Sequence, residues 1–557
     1  MPQTCPNCSR AFEIMKNDLE FYDRISPAIA GKKYSVPPPT LCPDCRLQRR
    51  LAHRNEKNLY HRKCDKTGKQ IISIYAPNTE IVVYAKDEWW GDGWDPKSYG
   101  REFDFSRPFF EQLSSLQKLV PRMSFQQERN ENSDYTSNVS HLKNCYLLFS
   151  SDFSRDCAYG IWIQRSRDCM DNLIIDECDW SYECFFSVKL YRCKYVYSSS
   201  QCSDSAFLFD CRNCKNCLMC WGFRNKEYCI ANKQYSKQEY EKRMKEFPLS
   251  SHANLTVVKK QFAELLRSAP KPAMRKQGTV IDSTGDLLIQ CQNCRNCYEL
   301  RGAKDCRNTI GFQAVDAVDC TYVMGEFGYE QCECFPMPQH SAFTMNSYSG
   351  SDLYYCDMCM LQSEQCFGCV GLKRGKYCIL NKQYMKDEYE LLVPKIIEHM
   401  RKTGEWGEFF PIAMSMFGYN ASEAQQYFPV SKEEVGRRKW QWFEEEKSED
   451  RHLEPEVDIP DSIDDVPDDI VQRILHCETT GKSFKIIPQE LRFYRQMGIP
   501  IPHVCPDERH AERIELRNSR TLWKRNCTAC KKSIETTYAP DRPDIIYCEE
   551  CYLKTIY

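Results

Sequence analysis

Cysteine is placed in this chain with a regularity that constrains the fold more than any other feature. Between residues 140 and 215 it recurs at, among others, Cys145, Cys157, Cys169, Cys178, Cys193, Cys202 and Cys214. Taking Cys145, Cys169, Cys193 and Cys214 gives steps of 24, 24 and 21 residues. Short runs such as CYLLF, CAYGIWI, CMDNLII and CKYVYSS follow the cysteines, and polar stretches such as SSDFSRD separate them. The runs are aromatic and β-branched, as strands are. A fixed repeat of this kind predicts a β-solenoid with a coil of about that length, in which no coil buries its face alone and each stacks on its neighbours. Cysteine would form an inward ladder, packing as a small hydrophobe. A second stretch behaves alike, with Cys334, Cys356 and Cys378 each 22 apart. The two stretches end in parallel, on CLMCWGFRNKEYCIANKQYSKQEY and CFGCVGLKRGKYCILNKQYMKDEY, which predicts that Asn-Lys-Gln-Tyr leads from each solenoid into a capping helix.

The chain holds 35 cysteines, an odd number that cannot be fully paired internally. No basic-then-apolar leader opens the sequence, and no apolar run reaches the roughly 18 residues a membrane span needs. These features predict a cytoplasmic, soluble protein whose cysteines are thiols or metal thiolates rather than disulfides. With a formal net charge of −2, any contact with nucleic acid has to come from a local patch.

The two ends of the chain repeat one another. FEIMKNDLEFY (12–22) aligns with FKIIPQELRFY (484–494), and CPDCRLQRRLAHRNEKNLYHRKC (42–64) with CPDERHAERIELRNSRTLWKRNC (505–527). Each copy has the ligands for one closed metal site, in a different place. The first has Cys5-x2-Cys8 with Cys42-x2-Cys45, where the second reads Cys477, Thr480, Cys505 and Glu508. The second has Cys527-x2-Cys530 with Cys548-x2-Cys551, where the first reads Cys64, Thr67, Ala85 and Glu88. Two Cys-x2-Cys knuckles supply four thiolates in the tetrahedral set that structural zinc takes. Two zinc ions are therefore expected.

The resulting fold class is mainly β with α segments: two zinc-ribbon-like modules flanking a cysteine-rich solenoid in two stretches with helical caps. The expected segments are a zinc module (1–93), a helical connector (94–140), a first solenoid (141–235), a helical cap and linker (236–286), a second solenoid (287–384), a helical aromatic segment (385–443), an acidic linker (444–470) and a second zinc module (471–557). The linker reading rests on thirteen acidic residues against two basic over 444–469.

Three surfaces are candidates for function. Arg46, Arg50 and Arg54 are spaced by four and line one helix face. With Arg49, Lys57 and Arg62 they form a row suited to phosphate, because guanidinium matches its geometry in bidentate fashion. The charge excess is local, with fifteen Lys/Arg against ten Asp/Glu over residues 1–90. Aromatics in DEWWGDGW (87–94) are placed to stack bases. The competing reading is that the arginines pair inside their own module. The solenoid faces are the second candidate, for a protein partner. The third is polymer-cleaving chemistry by carboxylates such as Asp156, Asp168, Glu177 and Glu183, each directly before a cysteine, for which turn decoration is the blander reading. The run Cys211, Cys214, Cys217, Cys220 and the run Cys291, Cys294, Cys297 invite a further metal. Period-three cysteines in a solenoid are instead expected to point in different directions. No phosphate-binding glycine loop, nucleophile elbow or HExxH helix is present, and no small-molecule cofactor is evident.

The motifs CPNCSRAFEI, PPPTLCPDCR, WDPKSYGREFDFSRPFFEQ and the repeated NKQY endings resemble a family of cysteine-rich zinc-ribbon repeat proteins from small-genomed uncultured bacteria. The resemblance implies no activity to carry over. Some members bear the label of CoA transferases, for which this chain shows neither a CoA-binding glycine motif nor a catalytic aspartate context. The expected function is therefore non-enzymatic: zinc binding, with RNA or DNA held by the arginine-rich module, or alternatively a protein–protein scaffold or a solenoid enzyme.

Overall fold

A computed structural model describes residues 1–444 and 458–556. The fold is mainly β, with 12 α-helices among the described residues. The chain gathers into two units, each of which interrupts the other in sequence. The first joins Met1–Phe125 to Lys276–Glu444, so it holds the N-terminal module and the second solenoid. The second joins Gln126–Arg275 to the described residues after 457, so it holds the first solenoid and the C-terminal module.

The solenoid coil is 12 residues long, not the 21 to 24 expected from the cysteines. Strands pair in parallel at that offset: Tyr146 with Ala158, Ile161 with Leu173, Ser181 with Cys193 and Cys217 with Cys229. The second solenoid follows the same rule, as in Leu288 with Leu300 and Cys366 with Cys378, with local steps of 11 and 13. Serine hides the true period. Cys145, Cys157 and Cys169 are successive coils, but the next coil has Ser181 before Cys193. Cys214 belongs to a different column altogether, one coil above Cys202.

A left-handed residue at every third position makes the bends. Leu147, Ser150, Phe153, Asp156, Tyr159 and Trp162 all have φ between 46° and 61°. Each non-glycine residue held there costs on the order of 1–2 kcal/mol, and asparagine and aspartate tolerate it best. That preference explains why so many inward cysteines follow Asp or Asn. Four bends in 12 residues give a narrow four-sided coil, with one inward side chain per side.

The interior is correspondingly built from small residues. Cys193 donates from Sγ to the carbonyls of Tyr191 and, on the next coil, Cys202, at 3.5 and 3.4 Å. Ser187 makes the same pair of contacts to Phe185 and Val196 and also accepts the Ser199 amide. Cysteine and serine are thus interchangeable donors in one slot, with Leu, Ile and Val filling the rest of the core. Where backbone comes closest only glycine fits. A Cβ on Gly285, at φ +138°, would lie 1.7 Å from the Cys297 carbonyl oxygen.

Each solenoid ends on a short antiparallel hairpin and then, as expected, on a helix. The Asn of NKQY ends the ladder by standing in for the next coil's peptide. Asn232 accepts from the Trp221 amide at 2.8 Å and donates to its carbonyl at 3.0 Å. Asn381 does the same to Val370. The helices Lys237–Met244 and Lys386–Thr403 follow.

The acidic segment falls partly outside the described residues, at 445–457. From 458 onward it packs into the second unit instead of running free. Ile463, Val466 and Ile470 are buried in its core, and Asp461 accepts the Ala253 amide at the start of helix His252–Ser268.

Candidate metal centres

The first cysteine group is assembled by a hairpin and a helix start. Strands Pro2–Thr4 and Ala11–Glu13 pair, and the turn between them closes as Cys5 accepts the Ser9 amide and donates to Arg10. Ser9 takes a left-handed φ of 59° to close that knuckle. Cys42 caps helix Pro43–Leu51, and Cys45 sits in its first turn. All four sulfurs of Cys5, Cys8, Cys42 and Cys45 lie within 4.8 Å of one another. Tetrahedral thiolate ligands about 2.3 Å from one ion stand slightly under 4 Å apart, so the spacing fits a metal. The surroundings also favour anionic sulfur. Asn7 donates to Cys45 Sγ at 3.1 Å. The Cys45 thiol, hydrogen-bonded to Cys42, brings Cys42 down to about 4 and is itself pushed up, so the pair gives up one proton easily and holds the other.

The second group repeats the design half a module later. Hairpin Trp523–Asn526/Ser533–Thr536 carries Cys527 and Cys530, and helix Glu549–Ile556 starts beside Cys548 and Cys551. These four sulfurs also lie within 4.8 Å of one another. Burial acts to raise Cys527, but the amides of Cys530 and Cys548 bring it down to about 6.

The lost sites are closed by other chemistry. In the C-terminal module Cys477 Sγ accepts the Cys505 amide at 3.3 Å and contacts Thr479 Oγ1 at 3.2 Å. In the N-terminal module Cys64 Sγ accepts the Ala85 amide, and Lys66 pairs with Glu88 at 2.9 Å. Glu88 stands where the other copy has Cys551, so an ion pair takes the place of the cysteine quartet.

Among the described residues no other group of three or more cysteines, histidines or carboxylates converges this closely. Cys211, Cys214, Cys217 and Cys220 all point inward but from different directions, as expected of period-three cysteines, and they do not gather into a group that could hold an ion. One comes from each side of a four-sided coil. Each thiol is turned to backbone carbonyls, as Cys217 is to Lys215 and Lys226.

The arginine row meets carboxylates rather than solvent. Arg46, Arg49, Arg50 and Arg54 are all buried. Arg46 pairs with Asp319 at 2.9 Å, and Arg50 with Glu330 at 2.8 Å. Arg49 pairs with Glu330 at 3.1 Å and with Glu408 at 2.7 Å. Arg54 pairs with Glu56, Glu333 and Glu423. Arg62 is buried too, donating to the carbonyls of Ala76 and Ile81 and pairing with Asp65. Lys57 is half-exposed. A guanidinium sealed among carboxylates has no open face for phosphate, so the phosphate-gripping row expected from the spacing is corrected to a docking frame. The acids belong to the solenoid of the same unit: Asp319, Glu330 and Glu333. The base-stacking reading of 87–94 meets the same end for its central residue, since Trp89 is buried against Met123, Met358 and Met360.

The C-terminal copy docks identically. Arg509, counterpart of Arg46, pairs with Asp171 at 3.1 Å. Arg513, counterpart of Arg50, pairs with Asp171 at 2.9 Å and Glu183 at 3.1 Å. Of the four turn acids named from sequence, Glu183 is therefore a docking residue. Glu177 instead pairs with Arg165 and Lys189, Asp168 with Arg167, and Asp156 accepts from Asn144. Sequence reasoning missed Asp171, Asp319, Glu330 and Glu333. The signal was present in the column Tyr159, Asp171, Glu183, Tyr195, where two acids interrupt a run of aromatics at 12-residue steps.

No helix of the described residues is long and apolar enough to cross a membrane. No family model matches the chain, and no curated protein matches it.

Proposed function

We propose that this chain is a zinc-bound, non-enzymatic scaffold whose working surfaces are the outer faces of its solenoids. The observation that carries the reading is the twofold use of the arginine frame. Both modules turn it onto solenoid acids, which covers one side of each solenoid and leaves polar sides in solvent. On the first solenoid those sides carry regular charge ladders, such as Lys143 with Glu131, Arg167 with Asp179 and Arg192 with Asp204. Such pairs contribute little stability when exposed, roughly 0–1 kcal/mol each. A regular, rigid array of both charge signs suits a protein surface better than a polyanion. Zinc is the metal favoured by four thiolates in a closed set, and its task here is to hold each module in shape.

The test has two parts. Metal analysis of the purified chain is expected to return two zinc ions. Affinity capture from the native host is expected to retain a protein through nuclease treatment, and to lose it when Arg167 and Arg192 are both changed to Glu. Release of the captured material by nuclease would instead restore the nucleic-acid reading and overturn this one.

A further inference from the structure

The two units dock their modules alike, but differ in what lies beneath the start of the first module helix. In the second unit this place is filled. Glu490, in the first turn of helix Pro488–Met497, accepts from the Tyr159 hydroxyl at 2.8 Å. Gln489 reaches the Asn144 carbonyl at 3.2 Å. Tyr146, Leu147, Ala158 and Tyr159 pack there in the apolar core.

The first unit has different residues at the same points. The docking acids set the correspondence: the amide of Asp171 bonds to the carbonyl of Ala158, and the amide of Asp319 to that of Arg307. One coil further back, Arg295 stands where the second unit has Tyr146. The following residues are Asn308 for Tyr159 and Asn296 for Leu147. In the module, Asp18 replaces Glu490 and Asn17 replaces Gln489. Four apolar residues thus become two arginines and two asparagines.

The result is a cleft of about 670 Å³, bordered by these residues and by Lys16 and Asn17 at the start of helix Lys16–Ile25. Its volume is within the roughly 300–1,000 Å³ of small-molecule sites. Arg307 is held from behind, with Nε 2.9 Å from Asp18 and the guanidinium 5.5 Å from the Phe21 ring centre. Its two Nη groups make no hydrogen bond among the described residues. Arg295, one coil away in the same column, is exposed and has no ion pair or side-chain hydrogen bond among the described residues. Asn17 is likewise unbonded, and Asn296 donates to Asn308 at 2.8 Å. Carboxylates line the cleft as well. Asp18 is committed to Arg307 and to the Met15 amide, while Glu13 and Glu20 are exposed.

Arg295 and Arg307 are bridged in parallel on neighbouring coils, and like charges directly opposite one another are unfavourable. At Arg212 and Arg224 both guanidiniums pair with Asp210, whereas here Arg307 has Asp18 and Arg295 has no acid among the described residues. We propose that the cleft of the first unit binds a small oxyanion-bearing ligand of the phosphate class. Arg295 and Arg307 would take its oxygens in bidentate fashion, and the free amides that open helix Lys16–Ile25 would face its charge. The proposal is independent of any protein partner on the outer faces.

The experiment is calorimetric titration of the full-length, metal-loaded chain with inorganic phosphate and with pyrophosphate, in a phosphate-free buffer of low ionic strength. One saturable site per chain is expected for at least one of the two probes. Arg295→Ala, a change to an exposed side chain, is expected to weaken it at least tenfold with zinc content and thermal midpoint unchanged. Asn17→Asp, which adds a negative charge at the helix start, is expected to weaken it similarly. Arg155→Ala, on the other unit's exposed face, is expected to leave it intact. Absence of saturable binding by both probes, full affinity in Arg295→Ala, or an equal loss in Arg155→Ala would each overturn the proposal.

Discussion

In the first unit the metal group lies at the foot of the arginine helix; in the second it lies half a module away, and the arginine helix docks all the same. Cys42 and Cys45 begin helix Pro43–Leu51, whereas the matching helix Pro506–Glu515 begins at Cys505, which has only a hydrogen bond to Cys477. The difference teaches that a cysteine quartet at the foot of the helix is not what places the frame on the solenoid. The placement comes from buried ion pairs at fixed positions, Asp319 and Glu330 in one unit and Asp171 and Glu183 in the other. Burying such pairs gains little net stability, but a mismatch leaves an uncompensated charge, so they specify register strongly.

Metal removal breaks this comparison most sharply. Apparent binding energies of structural zinc are on the order of 10 kcal/mol, so chelation is expected to unfold the element next to each ion. Hydrogen exchange under chelator should accelerate in Pro43–Leu51 but spare Pro506–Glu515, while Trp523–Asn526 and Glu549–Ile556 lose protection. Equal exchange of the two arginine helices would show that the metals act on whole modules.

Removing one docking arginine should have the next largest effect. Arg50→Ala takes from Glu330 its closest counter-charge and leaves Arg49 as its nearest partner in the buried cluster, at a cost of about 3–5 kcal/mol in urea unfolding. Arg513→Ala should cost less. Its partner Glu183 is pushed by burial to about 7, so it can shed its charge by taking a proton near neutrality. A larger loss for Arg513→Ala would contradict this ranking.

The same two acids predict opposite pH dependence. Glu183 is raised from 4.5 to about 7, so the folded state binds more protons than the unfolded chain across that window, and this group's contribution falls as pH rises through it. At Glu330 burial acts to raise the value, but Arg50, Arg49 and Arg46 outweigh it and hold the carboxyl below its ordinary value. Its contribution is present above that ordinary value and disappears as pH falls. Glu183→Gln should therefore flatten the decline in thermal midpoint between about pH 4.5 and 7, and Glu330→Gln should be destabilising at pH 7 and less so in acid. Parallel pH curves for the two variants would remove the distinction.

The smallest effect is expected inside the coil. Cys193→Ser keeps a donor for both carbonyls and should cost about 1 kcal/mol or less, whereas Cys193→Leu overpacks a narrow interior and should cost about 1–3 kcal/mol. A large loss for the serine variant would point to a role for the thiol beyond packing.

Much of this architecture was legible in the residues. The terminal duplication, both cysteine quartets and the Asn-Lys-Gln-Tyr caps follow from motifs with local causes, namely knuckle turns, helix starts and an asparagine that imitates a peptide. The coil length was obscured because serine serves as well as cysteine in an inward slot, so counting cysteines alone doubles the step. The role of the arginines was not legible, because a four-residue spacing places them on one face without saying what that face meets.

By itself the sequence determined where backbone bends, which side chains are small enough to point inward, and which sulfurs can share an ion. Each of these is settled over a few residues by sterics and covalent reach. Only the tertiary structure decided that the N-terminal module lies on the second solenoid and the C-terminal module on the first, and that their arginines are closed off by distant solenoid acids, 273 positions away for Arg46 and Asp319 and 342 for Arg513 and Asp171. Pairing of that kind depends on long-range burial and charge matching, which no local pattern of residues records.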